Sequence, residues 1–275
     1  MMAVGMLVIA ATSCSNEEEA SAINTLELQV AEQEAVVETV FDEIDEVDYY
    51  GQLYSLTNAR VEEVAEDGPI FCAQRSHDPD NKLITIDFGS GCTGPRGLVR
   101  KGKILIHYTG RLLEPGAIHT ITFEDFYIDD IRIEGTRIKE NLSETTNDRL
   151  RFRISFENGK LTFPDGSVIT REANWTVTRI RTFNPLNDEI VREGSCSGIT
   201  KSGLEYSVAI SSPIVWKRGC LPKVRVFIPV SGTKVITMGE RAITIDYGDG
   251  TCDNLMTVTK DGVSEVVEFR RFRKG

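Results

Sequence analysis

Arg149-Leu150-Arg151-Phe152-Arg153-Ile154-Ser155-Phe156-Glu157-Asn158-Gly159 decides the fold class. Large apolar side chains alternate with arginines and Ser155, a period of two. Successive side chains of a strand point to opposite faces, so the stretch reads as a strand with one buried and one wet face. Asn158-Gly159 supplies the two left-handed residues that a tight hairpin turn needs. Outward from here the same signals recur. Leu83 to Phe88, Lys103 to Tyr108 and Ile118 to Ile133 are rich in β-branched and aromatic residues, and Asp165-Gly166, Ser202-Gly203, Ser231-Gly232 and Asp261-Gly262 repeat the turn chemistry. The expectation is a mainly β body at 68–275, an antiparallel meander or sandwich/roll of about 12–15 strands. A parallel α/β fold is excluded because no crossover helix pattern follows residue 68.

The segment before the body is different. Leu26, Val30, Gln33, Val37, Val40, Ile44 and Val47 recur at spacings of four and three, which places one largely apolar stripe on a helix of about 24–49. Ser21 and Asn24 are cap candidates and Gly51 marks the stop. Heptad spacing also suits a short coiled coil. The simpler reading is an amphipathic helix packed on the protein's own sheet, with 24–67 forming helix and linker. Between Cys14 and Asp67 stand sixteen Asp/Glu against one basic residue, Arg60, while the whole chain of 275 residues carries a formal charge of −11. The body is therefore weakly basic. Net acidity argues against nucleic acid as a partner. No apolar run is long enough for a membrane-spanning helix, which needs about 20 residues.

Ala3 to Ala11 form a short apolar run that ends in Thr12, Ser13 and Cys14. A stretch of this length with small residues at its end is an export-signal pattern. Ala11-Thr12-Ser13-Cys14 resembles the lipobox of bacterial lipoproteins. That resemblance implies a signal peptide at 1–13, acylation of Cys14, and attachment to the membrane through acyl chains. Ser15-Asn16-Glu17-Glu18-Glu19 resembles the acidic export tag of surface-displayed lipoproteins, and as plain chemistry 14–23 is a solvated acidic tether.

Ile84-Thr85-Ile86-Asp87-Phe88-Gly89-Ser90-Gly91-Cys92 is similar to Ile243-Thr244-Ile245-Asp246-Tyr247-Gly248-Asp249-Gly250-Thr251-Cys252. Each has an upstream cysteine, Cys72 or Cys220, which suggests related units near 69–135 and 219–273. With Cys14 acylated, five cysteines remain. The repeat selects Cys72–Cys92 and Cys220–Cys252 as disulfides and leaves Cys196 as a thiol; the rival pairing is Cys196–Cys220 with Cys252 free.

The acidic loop carries Asp246, Asp249 and Asp253, oxygen donors of the kind Ca²⁺ takes. Its ordinary reading is a tight turn that sets the disulfide, and no metal site is expected. Asp246 to Gly250 also resembles one loop of PKD-type β-sandwich modules. Arg149, Arg151, Arg153, Arg171, Arg179 and Arg181 on neighbouring strands are candidates to line one face and grip anionic polysaccharide or phosphate; the alternatives are a solubilising outer face or a dock for the acidic helix. Trp175, Trp216, Tyr206 and Tyr108 are candidates to stack on sugars, against the commoner core role. No catalytic motif occurs, and neither an enzyme nor a cofactor is expected.

These readings converge on an exported, non-enzymatic lipid-anchored envelope protein at the bacterial outer membrane or cell surface, a scaffold or binding module whose partners are the membrane, polysaccharide or an envelope protein. The alternatives are a surface hydrolase or carbohydrate-processing accessory protein, and a periplasm-facing carrier of a lipid-like ligand. A carrier requires an apolar cavity beneath the helix.

Overall fold

The computed structural model describes residues 25–56, 68–94, 97–145, 148–220 and 229–268. Cys14, the lipobox-like residues, the tether and the cap candidates Ser21 and Asn24 lie outside them. Among the described residues one α-helix, α1 (Thr25–Leu56), precedes fourteen strands. The first seven are β1 (Gln74–Asp78), β2 (Leu83–Asp87), β3 (Cys92–Thr93), β4 (Val99–Tyr108), β5 (Ile118–Ile128), β6 (Ile131–Asn141) and β7 (Arg149–Thr162). They are followed by β8 (Val168–Ile180), β9 (Glu189–Ile199), β10 (Glu205–Lys217), β11 (Ser231–Met238), β12 (Arg241–Asp249), β13 (Leu255–Lys260) and β14 (Val263–Glu268).

All fourteen belong to one antiparallel sheet in chain order, with β3 attached to β4 beside the main path. The body is thus a meander in a single sheet, and the sandwich alternative is not what forms. A twisted sheet of this many strands curls, and here it curls around α1. The decisive strand behaves as its alternation dictates: Leu150, Phe152, Ile154 and Phe156 are buried, and Arg149, Arg151 and Arg153 are exposed.

Two turn readings are corrected. Asn158-Gly159 does not end a strand; β7 runs through it, and the register against β8 shifts between Phe156 and Gly159. Ser231-Gly232 likewise lies inside β11, where register shifts against both neighbours. Left-handed residues serve a bulge as well as a turn, and a bulge bends its strand and increases the twist. Similar shifts in β4–β5, β5–β6 and β6–β7 supply the curvature that a flat ladder lacks. At Gly102, φ +77°, a Cβ would lie 1.9 Å from the Asp125 carbonyl oxygen, so only glycine permits the strands to meet there.

The helix is longer than its stripe predicts and passes through Gly51. That residue is a packing position: a Cβ would lie 3.1 Å from Ile106 Cδ1 and 3.6 Å from both Ile84 and Ile86. Helix and strands share one core, in which Val30, Val37, Phe41, Ile44 and Val47 meet the inner face of the sheet.

Connections of a meander alternate between its two ends. Lys260, beside the 261–262 turn, pairs with Glu27 in the first turn of α1. The short links 129–130, 163–167, 200–204 and 239–240 share that end of the sheet. At the opposite end the Leu112 amide donates to Gln52 Oε1 near the end of α1, 3.1 Å. The links 109–117 and 181–188 lie there, with the shorter 79–82 and 250–254.

Gly51→Val should overpack this contact and lower stability by about 1–3 kcal/mol. A fall in the urea midpoint with an unchanged slope would show it; an unchanged midpoint would contradict the packing role.

Candidate functional site

The inner face of the sheet is cationic as well as apolar. Arg100 on β4 pairs with Glu43, and Arg137 on β6 grips Asp45 through two hydrogen bonds of 2.8 and 2.7 Å. His119 on β5 and Lys139 on β6 share Asp48, at 2.6 and 3.0 Å. Arg171 on β8 meets Glu34 at 2.6 Å, and Arg192 on β9 meets Asp42 at 2.6 Å. Lys234 on β11 reaches Glu38 at 3.0 Å and Glu34 at 3.6 Å. The buried carboxylates Glu27, Glu34, Glu43, Asp45 and Asp48 therefore each have a cationic partner supplied by a strand. Phe41 lies between, with the guanidinium groups of Arg137 and Arg171 at 5.3 and 5.4 Å from its ring centre.

At Glu34, Asp42, Asp45 and Asp48 burial acts to raise the pKa and the paired cations to lower it, and the balance sets the direction. At Glu34 burial is outweighed by Arg171 and Lys234, and the carboxyl is held below its usual range. Asp45 is lowered because Arg137 and Lys139 outweigh the same penalty, and Asp48 because Lys139 and His119 do. At Asp42 burial prevails over Arg192 and the pKa rises. The Cys196 thiol is buried, 2.7 Å from Arg171 Nη2. Burial outweighs that guanidinium and pushes the thiol up to about 12, so it is protonated and unreactive at neutral pH.

Among the described residues the ionic groups of this interior are held away from solvent. Asp48, His119 and Lys139 resemble a proton-transfer set in composition, yet all three are buried. The cavity between helix and sheet at Val30, Glu34, Val37, Ile169 and Tyr206 measures about 10 Å³, room for one water at most. The apolar space expected of a carrier is occupied at this place by the helix's own side chains.

The six arginines do not share a face. Arg149, Arg151 and Arg153 are on the outside of β7, whereas Arg171 and Arg179 on β8 point inward. Arg179 lies over the rings of Tyr49 and Phe152, at 5.8 and 6.0 Å. Arg181 is exposed in the link after β8. Trp175 is 4% exposed and belongs to the core, as do Trp216 and Tyr206, so none of these is available to stack on a sugar. Tyr108 is partly buried and its hydroxyl lies 2.6 Å from His77 Nε2.

What the outer face does offer is a shallow depression of about 430 Å³ across β7, β8 and β9. It is lined by Arg151, Asn174, Thr176, Glu193, Gly194 and Ser195. Gly194, φ +125°, forms part of its surface, and a Cβ there would fall 2.3 Å from the Asn174 carbonyl oxygen.

The disulfides are Cys72–Cys92 and Cys220–Cys252, with Cys196 free. Both related loops build the same local turn. Asp87 Oδ1 accepts from the Gly89 amide and Asp246 Oδ1 from the Gly248 amide. Asp249 accepts from Thr251 and Asp253 from Leu255. These carboxylates are engaged in turns, and no cluster of three potential metal ligands occurs among the described residues.

Sequence reading missed the inward cations Arg100, Arg137, Lys139, Arg192 and Lys234. Their signal was available, since each occupies the phase of its strand's apolar residues. No protein-family model, curated protein or solved structure matches the chain.

Glu34→Gln should leave Arg171 and Lys234 short of counter-charge and cost about 3–5 kcal/mol, read by urea unfolding. Adding Arg171→Met should restore much of the loss; additive penalties would contradict the pairing.

Acid dependence has a definite sign. Glu34, Asp45 and Asp48 have folded-state pKa values below their ordinary 4.5, 3.8 and 3.8. The unfolded chain then binds more protons in acid, so their stabilisation is complete above those ordinary values and is lost as pH falls through the folded ones. Asp42, shifted upward, offsets part of this. The melting temperature should be level above about pH 5 and fall steadily below about pH 4; a rise toward pH 3 would refute the assignment.

Proposed function

We propose that this protein is a non-enzymatic, lipid-anchored component of the bacterial envelope, attached through acyl chains on Cys14 and acting as a scaffold or binding module through its β surface. One observation carries the reading: α1 fills the concavity of the sheet, and the five buried carboxylates are matched by strand cations. The groups available to a partner are therefore on the outside. No helix among the described residues is long and apolar enough to cross a membrane. Each buried methylene of an acyl chain contributes about 0.8 kcal/mol, so two or more chains anchor firmly where one does not.

Thr25, where α1 begins, follows Cys14 by 11 residues. At about 3.3–3.6 Å per extended residue, that chain reaches less than about 40 Å. The end of the sheet with the 261–262 turn borders the start of α1 and faces the bilayer. The link 181–188, with the exposed Phe183 and Leu186, lies at the other end and points away from it.

The test is fractionation with metabolic acyl labelling. The native chain should be labelled and membrane-bound, and Cys14→Ala should be unlabelled and released. A Cys14→Ala variant that stays with the membrane would sink the reading.

A further inference from the structure

We propose that the depression on the outer face of β7–β9 binds a carboxylate-bearing saccharide, a uronic acid unit of an anionic polysaccharide. The inference rests on the binding-module reading and names its ligand class. About 430 Å³ falls within the range of small-molecule sites, roughly 300–1,000 Å³. The lining residues decide what fits.

Arg151 is exposed, and its guanidinium has no hydrogen-bond or ion-pair partner among the described residues. Its neighbour on the same face, Arg153, is already held by Glu140 at 2.7 Å. A free guanidinium presents a planar fork that takes a carboxylate through two parallel hydrogen bonds. Asn174, Thr176 and Ser195 carry groups that both donate and accept, as vicinal sugar hydroxyls require.

Glu193 narrows the class. Its carboxylate only accepts, so it takes protons from sugar hydroxyls, and it repels a second anionic group on the ligand. One carboxylate among many hydroxyls satisfies both Arg151 and Glu193; a phosphodiester chain or a densely sulfated polymer does not. No apolar or aromatic side chain lines the depression, so a lipid-like ligand finds nothing there to bury itself against.

Gly194 keeps the space open. Its left-handed backbone and the approach of Asn174 exclude any side chain at that point. Arg149, two residues along the same exposed face, extends the positive edge for a longer glycan.

Calorimetric titration of the full chain at neutral pH with methyl galacturonide, which carries one carboxylate, and with neutral methyl galactoside as its match, tests the site. The uronate should bind and the neutral galactoside should bind far more weakly. Arg151→Ala should weaken uronate binding about tenfold or more. Arg151→Lys, which keeps the charge but loses the fork, should fall between. Arg153→Ala should change little, and inorganic phosphate should not displace the sugar.

Absence of uronate binding, equal binding by Arg151→Ala, or displacement by phosphate would each overturn the proposal. Arg151 projects outward, so its loss should leave the melting temperature unchanged and any lost binding is not lost folding. The titration needs no membrane. A failed titration with Cys14-dependent attachment intact removes only the site, whereas uronate binding by a chain that proves unacylated removes only the anchor.

Discussion

A helix that carries Glu27, Glu32, Glu34, Glu38, Asp42, Glu43, Asp45, Glu46 and Asp48 and no basic residue cannot enter a protein interior unaided. Each carboxylate taken from water costs several kcal/mol unless a cation meets it. Here the cations come from seven strands, β4, β5, β6, β8, β9, β11 and β13. That requirement dictates the architecture. A flat sheet or a two-layer packing would present cations to one side of the helix; a sheet wound around it presents them along most of its circumference. The bulges that curl the sheet and the charges that line it are two parts of one solution.

Paired charges of this kind add little net stability over apolar packing, but a broken pair is expensive. Their contribution is therefore to arrangement. The apolar stripe of α1 would tolerate a slide of one helical turn, about 5.4 Å, since valines and isoleucines are nearly interchangeable along it. The carboxylates would not, because the slide would leave Asp45 without Arg137 and Asp48 without Lys139 and His119. The ionic contacts select one register from several that hydrophobicity alone allows.

With its interior committed to holding the helix, the molecule meets its surroundings through its outer surface. Arg149, Arg151 and Arg153 show how directly that follows from a period of two. The same alternation that buries Leu150, Phe152 and Ile154 sets out three arginines in a row, and the pairing of β7 with β8 and of β8 with β9 places Asn174, Thr176, Glu193 and Ser195 beside them.

The mainly β class and both disulfides were legible because alternation and turn chemistry are local and because two similar cysteine-bearing stretches, Ile84 to Cys92 and Ile243 to Cys252, stand in the sequence. The existence of a helix near 24–49 was legible from spacings of three and four. Where local reading misled, a single residue had two physical uses. Asn158-Gly159 serves a bulge as readily as a hairpin, and Gly51 serves close packing as readily as helix termination. Arg171 and Arg179 stayed open between a shared outer face and a dock for the acidic helix, and Trp175 between the core and a sugar-stacking role, because period two separates two faces without saying which one turns inward.

Sequence by itself determined that this chain forms an antiparallel β body behind an acidic helix, since those patterns are set by neighbours a few residues apart. Only the tertiary structure decided that the helix is the core of that body and that its carboxylates are neutralised there. Glu34 and Arg171 are separated by 137 residues, and Asp42 and Arg192 by 150. Alternation can put such a cation in phase with the apolar face of its strand, but no local spacing says which carboxylate it meets; that pairing acts only once the sheet has curled far enough to bring the two within reach.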